Sequence, residues 1–567
     1  MSSQLLSSLS VLLSPLPPAF LLLLLLFIVA ALVFFRISPR SGPGSGPRSS
    51  IPCLPRLPVL GSLPWLGGGL PPHLLFTRLA HRYGPLFALF LGPHYTLVIN
   101  DHQHAREVLL QRGRDFAGRP SMVTTDLLTR GGKDIAFSDY SPLWKSHRRL
   151  VHNSFTLFGE GSSRLQDIVL SSVDGLCAEL LSAGGRGFDP SPAVTRAVTN
   201  VVCTLVFSAT YRHGDAELQE VMRYNDGIVQ TITRGGLVDI YPWMKVFPNK
   251  CLSKLKECIT VRDRLLSHKL EEHKVTQEPR SLFLQRHKTR DHAHLKSKSL
   301  DFMKLLIQIC TSSVIQASLS DGDPRDLLDA LLKGKMDSGR GQQLSGSTDE
   351  KMTDDHVLMT AAEAFGAGVE TTSTTLLWIL AYLLHHPEVQ ERVQKELDEQ
   401  VGSERQVCVS DRGRLPYLDC VINEGMRIRP VSPVLIPHSA MTDSSVGGHS
   451  VGRGTRVLVN MWSIHHDPHH WDKPDLFNPD RFLDDQGRRV TPSCFLPFGA
   501  GPRVCVGESL ARLELFLFLA SLLQRMSFRL PDRAAPPNLQ GRLGVVLQPL
   551  PYKVIVAPRA GWEGSSK

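Results

Sequence analysis

The chain has 567 residues, 42% of them hydrophobic and 21% charged, which is enough apolar material for a large buried core. Its net charge of +9 suits an anionic membrane surface or an acidic protein partner. Basic and aromatic residues are concentrated nowhere, which argues against a nucleic-acid partner.

From Ala19 to Phe35, "AFLLLLLLFIVAALVFF" is a run of seventeen uncharged, nearly all apolar residues, and no charge precedes Arg36. With its weaker upstream neighbours the run is long enough to cross a bilayer. The start, "MSSQLLSS", lacks the Lys or Arg of a cleaved signal, and the basic residues Arg36, Arg40 and Arg48 follow the span instead. Residues 1–36 therefore read as a retained single-pass anchor with the body of the protein in the cytosol. Residues 37–72 are dense in proline and glycine and read as a semi-rigid tether. A cytosolic body is a reducing one, and the ten cysteines show no C-x-x-C spacing, so disulfides are not expected.

Residues 73–560 contain no second linker and no repeat and read as one large, mostly helical domain, followed by a disordered tail at 561–567. Within it, "EAFGAGVETTSTTLLWILAYLL" predicts a long core helix. Gly366 and Gly368 weaken its centre by about 1 kcal/mol each relative to alanine, and Thr371 can bond the Ala367 carbonyl four residues back. The expectation is a helix locally opened into a groove.

The stretch "FGAGPRVCVG", 498–507, precedes an apolar helical run, "ESLARLELFLFLASLLQRM". Cys505 alone would read as a buried core cysteine. The whole pattern supplies what a thiolate ligand to iron needs. Gly499, Gly501 and Gly507 let backbone N–H groups approach the sulfur, and the helix beyond turns its positive end to the loop. Arg503 can neutralise a haem propionate.

This loop resembles the haem-binding signature of the cytochrome P-450 family, and the resemblance extends over nearly the whole chain after the tether. It implies a mainly α fold with small β-sheets behind the transmembrane helix, and haem b (iron protoporphyrin IX) held on iron by Cys505. Trp144 and Arg148 in "WKSHR", Arg119 in "FAGRP" and His438 in "IPHSA" match the positions that meet the propionates, with Arg503. Glu424 and Arg427 in "EGMR", three apart on one helix face, match a structural pair that Arg481 in "NPDRF" joins to brace the haem face. Thr371 and Glu370 match the alcohol and acid that deliver protons during oxygen activation. The implied function is a haem-thiolate monooxygenase, with NADPH-cytochrome reductase and cytochrome b5 as electron donors, in the endoplasmic reticulum membrane.

"FGAGVETT", "YPWMKVFPNK" and the cysteine loop look like the steroid 17α-hydroxylase/17,20-lyase branch. On that resemblance Asn225 meets the steroid's ring-A oxygen, with Ile228, Val229 and Ile232 on the same helical face and Arg262 as a second polar anchor. Leu128, Thr129, Ala367, Val545 and Val546 line the rest of the pocket. Arg412 is kept on the partner-docking face, but Asn423 stands where lyase-competent members carry a basic residue. The expectation is 17α-hydroxylation of progesterone or pregnenolone with weak or absent carbon–carbon cleavage. Glu363 and the pair Leu128-Thr129 are further departures from the branch. So is an insertion of about forty residues at about 277–319, which reads as disordered, poorly packed or an error in the gene model such as retained intron sequence. The Gly/Ser-rich stretch 338–351 reads as an ordinary surface loop. The rival readings are another steroid or xenobiotic hydroxylase and a haem-thiolate isomerase; the Glu370-Thr371 pair argues against the isomerase.

Overall fold

A computed structural model of the chain describes residues 51–156, 163–212, 214–234, 236–277, 324–335, 351–532 and 534–562. The expected anchor, nearly all of the insertion, nearly all of the 338–351 loop and most of the tail lie outside these residues.

The main elements are α1 (Pro72–Tyr83), β1 (Leu86–Leu91), β2 (His94–Ile99), α2 (Pro142–Thr156), α3 (Ser163–Ser182), α4 (Ser191–Phe207), α5 (Ala216–Arg234), α6 (Lys250–Gln277), α7 (Asp354–His385), α8 (Pro387–Gln400), α9 (Pro416–Ile428), β3 (His438–Ser439), β4 (Arg456–Val459), α10 (Glu508–Arg525), β5 (Arg542–Leu543) and β6 (Leu547–Gln548). Helices dominate, as expected.

The centre of the molecule is α7. Its start is fixed by Thr353, which exchanges hydrogen bonds with His356, and Asp354 and Asp355 face the positive end of the helix. Pro387 ends it, by forcing His386 out of helical conformation. Between these stops α7 is 32 residues long and nearly all its second half is buried, Trp378 included. Helices α4, α6, α9 and α10 pack around it. Although long and apolar enough to span a membrane, α7 is a core helix.

A four-stranded sheet stands to one side, in the order β1-β2-β4-β3, with β2 and β4 parallel and the other pairs antiparallel. The tether expected over 37–72 is not free chain in its second half. Leu54 N–H donates to Ala88 O at 2.9 Å, Ala88 N–H to Pro52 O at 2.8 Å, and Ser62 N–H to Phe90 O at 2.7 Å. A proline lacks only its own donor, so a proline-rich segment can still lie along a sheet edge. Here it does so with Leu54 buried.

The two ends of the insertion are held together. His273 on α6 places Nε2 2.8 Å from Asp326 Oδ2, and its Nδ1 2.7 Å from Lys269 O. Ser208 Oγ donates to the same Asp326 oxygen at 2.7 Å. Asp329 is gripped by Arg325 at 2.6 and 3.0 Å. The ligand atoms of His273, Asp326 and Asp329 lie within 4.8 Å of one another, but both carboxylates already have these partners, so the cluster reads as an ion-paired clasp.

Both ring nitrogens of His273 face oxygen acceptors, an arrangement that favours the doubly protonated, charged ring. Burial opposes that charge, but the Asp326 carboxylate outweighs it and the pKa lies above the ordinary histidine value. A raised folded-state pKa stabilises below the unfolded value and is lost as the pH rises through the folded one. Thermal unfolding is expected to show a stability decrease from the histidine range upward that His273→Gln removes; an identical slope in the variant contradicts the clasp.

Candidate active site

The cysteine loop is built on one backbone requirement. Gly501 has φ +71°, and a Cβ there would lie 1.7 Å from Leu109 O, so only glycine fits. The Cys505 N–H closes the loop on Phe498 O at 3.0 Å, and α10 begins three residues later, its positive end towards the sulfur. The thiol is accessible from a cavity of about 330 Å³ and is otherwise enclosed. Burial raises its pKa, while the Gly507 N–H and the Arg148 guanidinium pull it back.

Arg119, Arg148, Arg503 and His438 line the same cavity, and so do Ala367 and Thr371. Each arginine is oriented by backbone carbonyls. Arg503 donates to Ala117 O, Ile135 O and Ser138 O at 2.7–3.0 Å. Arg119 donates to Ala136 O, Ile436 O and Pro437 O at 2.7–3.0 Å, and its Nη2 makes no protein hydrogen bond among the described residues. Arg148 bonds Val504 O, next to the cysteine.

Three half-buried cations in one wall destabilise one another. Burial and the neighbouring arginines push the Arg119 pKa down to about 9 and that of Arg503 to about 10; burial also lowers that of Arg148. Burial raises the pKa of both acids beside them, Glu363 and Asp134, which opposes the charge that would neutralise the wall, and Asp134 Oδ1 has no partner among the described residues. The wall therefore favours an anionic ligand. His438 is neutral, its pKa lowered to about 3 by burial and Arg119, with Nδ1–H donating to Phe116 O at 2.9 Å. It can hold an anion through Nε2 only after taking up a proton there. A thiol opening onto a cation-rich cavity fits a porphyrin iron with two carboxylates.

Trp144 does not fill its expected place. Its Nε1–H is spent on Ile135 O at 2.9 Å, and its ring lies 4.0 Å under the Arg503 guanidinium. It positions Arg503 and does not itself line the cavity. Glu363 accepts from Ile135 N–H at 2.9 Å, so one backbone unit ties together α2, α7 and the arginine wall.

On α7 the Thr371 hydroxyl donates to Ala367 O at 2.7 Å, as expected. The expected opening is absent: α7 is continuously helical. Gly368 serves close packing, since a Cβ there would lie 3.3 Å from Val202, whereas one on Gly366 would meet Asn225 Oδ1 at an ordinary contact distance of 3.6 Å. Glu370, about 100° further round the helix, turns away from the cavity. Its carboxyl receives a hydrogen bond from Gln548 Nε2.

The expected steroid contacts are only partly assembled. Asn225 is buried on α5 and faces the centre of α7, with Ile228 buried beside it. Of the residues assigned to that pocket, Ala367 alone lines the cavity under the arginine wall; Asn225, Ile228, Val229, Leu128, Thr129, Val545 and Val546 lie outside that lining. Two assignments are corrected. Arg262 is not an open polar anchor: Asp263 Oδ1 takes its Nε and Nη2 at 2.9 and 2.7 Å, and Leu128 O takes its Nη1 at 2.8 Å. Val545 is 45% exposed at the bend between β5 and β6, while Val546 beside it is buried.

The brace assembles completely. Glu424 and Arg427 are both fully buried, with Nε–Oε2 at 2.7 Å and Nη2–Oε1 at 2.8 Å, and Arg481 Nε reaches Glu424 Oε1 at 3.2 Å. Arg412 is less open than a docking charge should be, since it is mostly buried and lies 3.4 Å from Asp419. Asn423 is buried too, its Oδ1 accepting from Arg512 at 3.0 Å.

Sequence reasoning missed Glu514. It lines the cavity, Oε1 has no partner among the described residues, and burial pushes its pKa up to about 8, with only the Thr372 hydroxyl opposing. A single acid in the middle of an apolar run was the available signal.

The chain belongs to the cytochrome P450 family, whose model matches residues 51–556. Among its relatives, the steroid 17-alpha-hydroxylase/17,20 lyase of Oryzias latipes is 47% identical over 94% of this chain and 95% of its own length. That of Gallus gallus is 46% identical over 97% and 99%. A zebra fish cytochrome P450 solved with progesterone is 59% identical, with a TM-score of 0.72 over 86% of this chain and all of its own. One solved with abiraterone is 56% identical with a TM-score of 0.69.

Proposed function

We propose that the protein is a steroid 17α-monooxygenase that hydroxylates progesterone or pregnenolone at carbon 17, using dioxygen and electrons from NADPH, on haem b held by Cys505. The observation that carries this is the Cys505 thiol opening onto a cavity that Thr371 also lines and that three half-buried arginines wall. Likeness to steroid 17-alpha-hydroxylases and to a P450 solved with progesterone supports the substrate class. When bound, the haem supplies reductive oxygen activation and oxygen insertion into an unactivated C–H bond.

The chain's own residues do the rest. Cys505 would provide the ligand and Arg119, Arg148 and Arg503 would hold the propionates, with His438 beside them able to join only on taking up a proton at Nε2. Thr371 presents a hydroxyl to the cavity, and Glu370 beside it is the proton source. Asn225 offers a buried amide to one end of a flat apolar ligand and so selects which carbon is presented, where an error of an ångström matters.

The anchor at 1–36 points to the endoplasmic reticulum membrane, with the domain in the cytosol and NADPH-cytochrome reductase as donor. Exposed Trp243, Val246 and Phe247, joined through the Tyr241 hydroxyl to Val59 O at 2.9 Å, support a membrane-facing side beside the chain's entry from that anchor. Asn423, in place of a basic residue, supports weak or absent 17,20-lyase activity even with cytochrome b5.

Incubation of either steroid with the protein, reductase and cytochrome b5 is expected to yield the 17α-hydroxysteroid with little androgen. Asn225→Ala is expected to scatter hydroxylation over other carbons, at roughly tenfold lower efficiency. Abundant androgen contradicts the lyase expectation, and an unchanged product pattern in Asn225→Ala contradicts the anchor.

A further inference from the structure

Glu370 and Thr371 are neighbours in sequence but face different surroundings. Thr371 lines the cavity, whereas the Glu370 carboxyl lies against the β5–β6 hairpin. There Gln548 Nε2 donates to Glu370 Oε1, and Gln548 Oε1 accepts from Arg542 Nη2 at 3.2 Å, across a register that pairs Arg542 with Gln548. The hairpin is held firmly. Leu547 N–H donates to Val431 O at 2.9 Å, and the Leu547 carbonyl accepts from Trp378 Nε1 of α7 at 2.7 Å. An exposed guanidinium, a half-buried amide and a buried acid therefore form one polarised chain from the surface to α7.

We propose that Gln548 is a positioning residue for Glu370: its amide, backed by Arg542, fixes where the acid waits and keeps it exchangeable with solvent protons. This rests on the monooxygenase reading, in which Glu370 is the proton source. An acid that must give up a proton and regain it once per turnover needs a fixed resting place and access to both charge states near neutral pH. Burial disfavours the charged form of Glu370. Burial and Asp226 of α5 raise its pKa, while Gln548 and Arg542 lower it, and these are the groups that face it from α5 and the hairpin. Removing the amide takes away the one direct donor to the carboxylate among the described residues.

Two readouts test the proposal. The first needs no turnover: infrared difference spectra of the purified protein, in which the carboxylic acid band of Glu370 is identified by its loss in Glu370→Gln. In Gln548→Leu this band is expected to shift and to persist to a pH higher by about one unit. The second is product formed per NADPH oxidised, with reductase and progesterone. It is expected to fall several-fold in Gln548→Leu and by less in Arg542→Gln, with a larger solvent isotope effect in both. Arg542 is exposed, so its variant keeps the test open if Gln548→Leu does not fold. An unmoved infrared band and unchanged coupling overturn the role of Gln548. If the unaltered enzyme shows no steroid-dependent NADPH oxidation, the functional reading fails, and the infrared arm still decides whether Gln548 controls Glu370.

Discussion

Arg427→Leu is expected to leave little folded protein. Arg427 and Glu424 have no exposed surface, and the guanidinium fork grips both carboxylate oxygens. The same guanidinium also donates to His465 O at 2.8 Å and Leu476 O at 3.3 Å. Removing it strands a buried carboxylate whose remaining partners are Arg481 and the Asn478 N–H. Breaking a buried pair from one side costs about 3–5 kcal/mol, a large part of the roughly 5–15 kcal/mol that holds a domain folded. Arg427→Lys keeps the charge but loses the two-pronged geometry, so it should fall between. Soluble yield and thermal midpoint measure the effect; a midpoint for Arg427→Leu within a few degrees of the unaltered protein contradicts it.

Cys505→Ser has the opposite character, severe for chemistry and mild for the fold. The thiol faces the cavity and its loop is closed by backbone bonds and by Gly501, none of which the substitution touches. A serine oxygen is a poor substitute for a soft, charge-donating sulfur on haem iron. Steroid hydroxylation is expected to fall by roughly a thousandfold or more, the scale on which loss of an essential group is felt. The thermal midpoint of the haem-free protein should hardly move. Hydroxylation at the original rate contradicts the assignment of Cys505.

What could be read in advance was local. The cysteine loop is a contiguous run whose glycines have a backbone reason, and Glu424 and Arg427 are placed by helical spacing. The features that were missed depend on distant or competing partners. Trp144 gives its N–H to Ile135, and Arg262 is taken by the aspartate next to it rather than left open. Gln548 meets Glu370 across 178 residues of chain. The glycines of α7 were expected to loosen it; the helix is continuous, and packing against Val202 uses Gly368 for close approach instead. The second half of the tether was misjudged because proline content says little about whether the donors between the prolines find a sheet edge.

The most direct test is the carbon monoxide difference spectrum of the reduced, haem-loaded protein, followed by titration with progesterone. Ligation by Cys505 predicts the strongly red-shifted band of thiolate-bound haem, and the Asn225 anchor predicts a saturable, steroid-induced spectral change that weakens in Asn225→Ala. A band at the shorter wavelength of imidazole-bound haem in the intact, folded protein, with no response to the steroid, contradicts both.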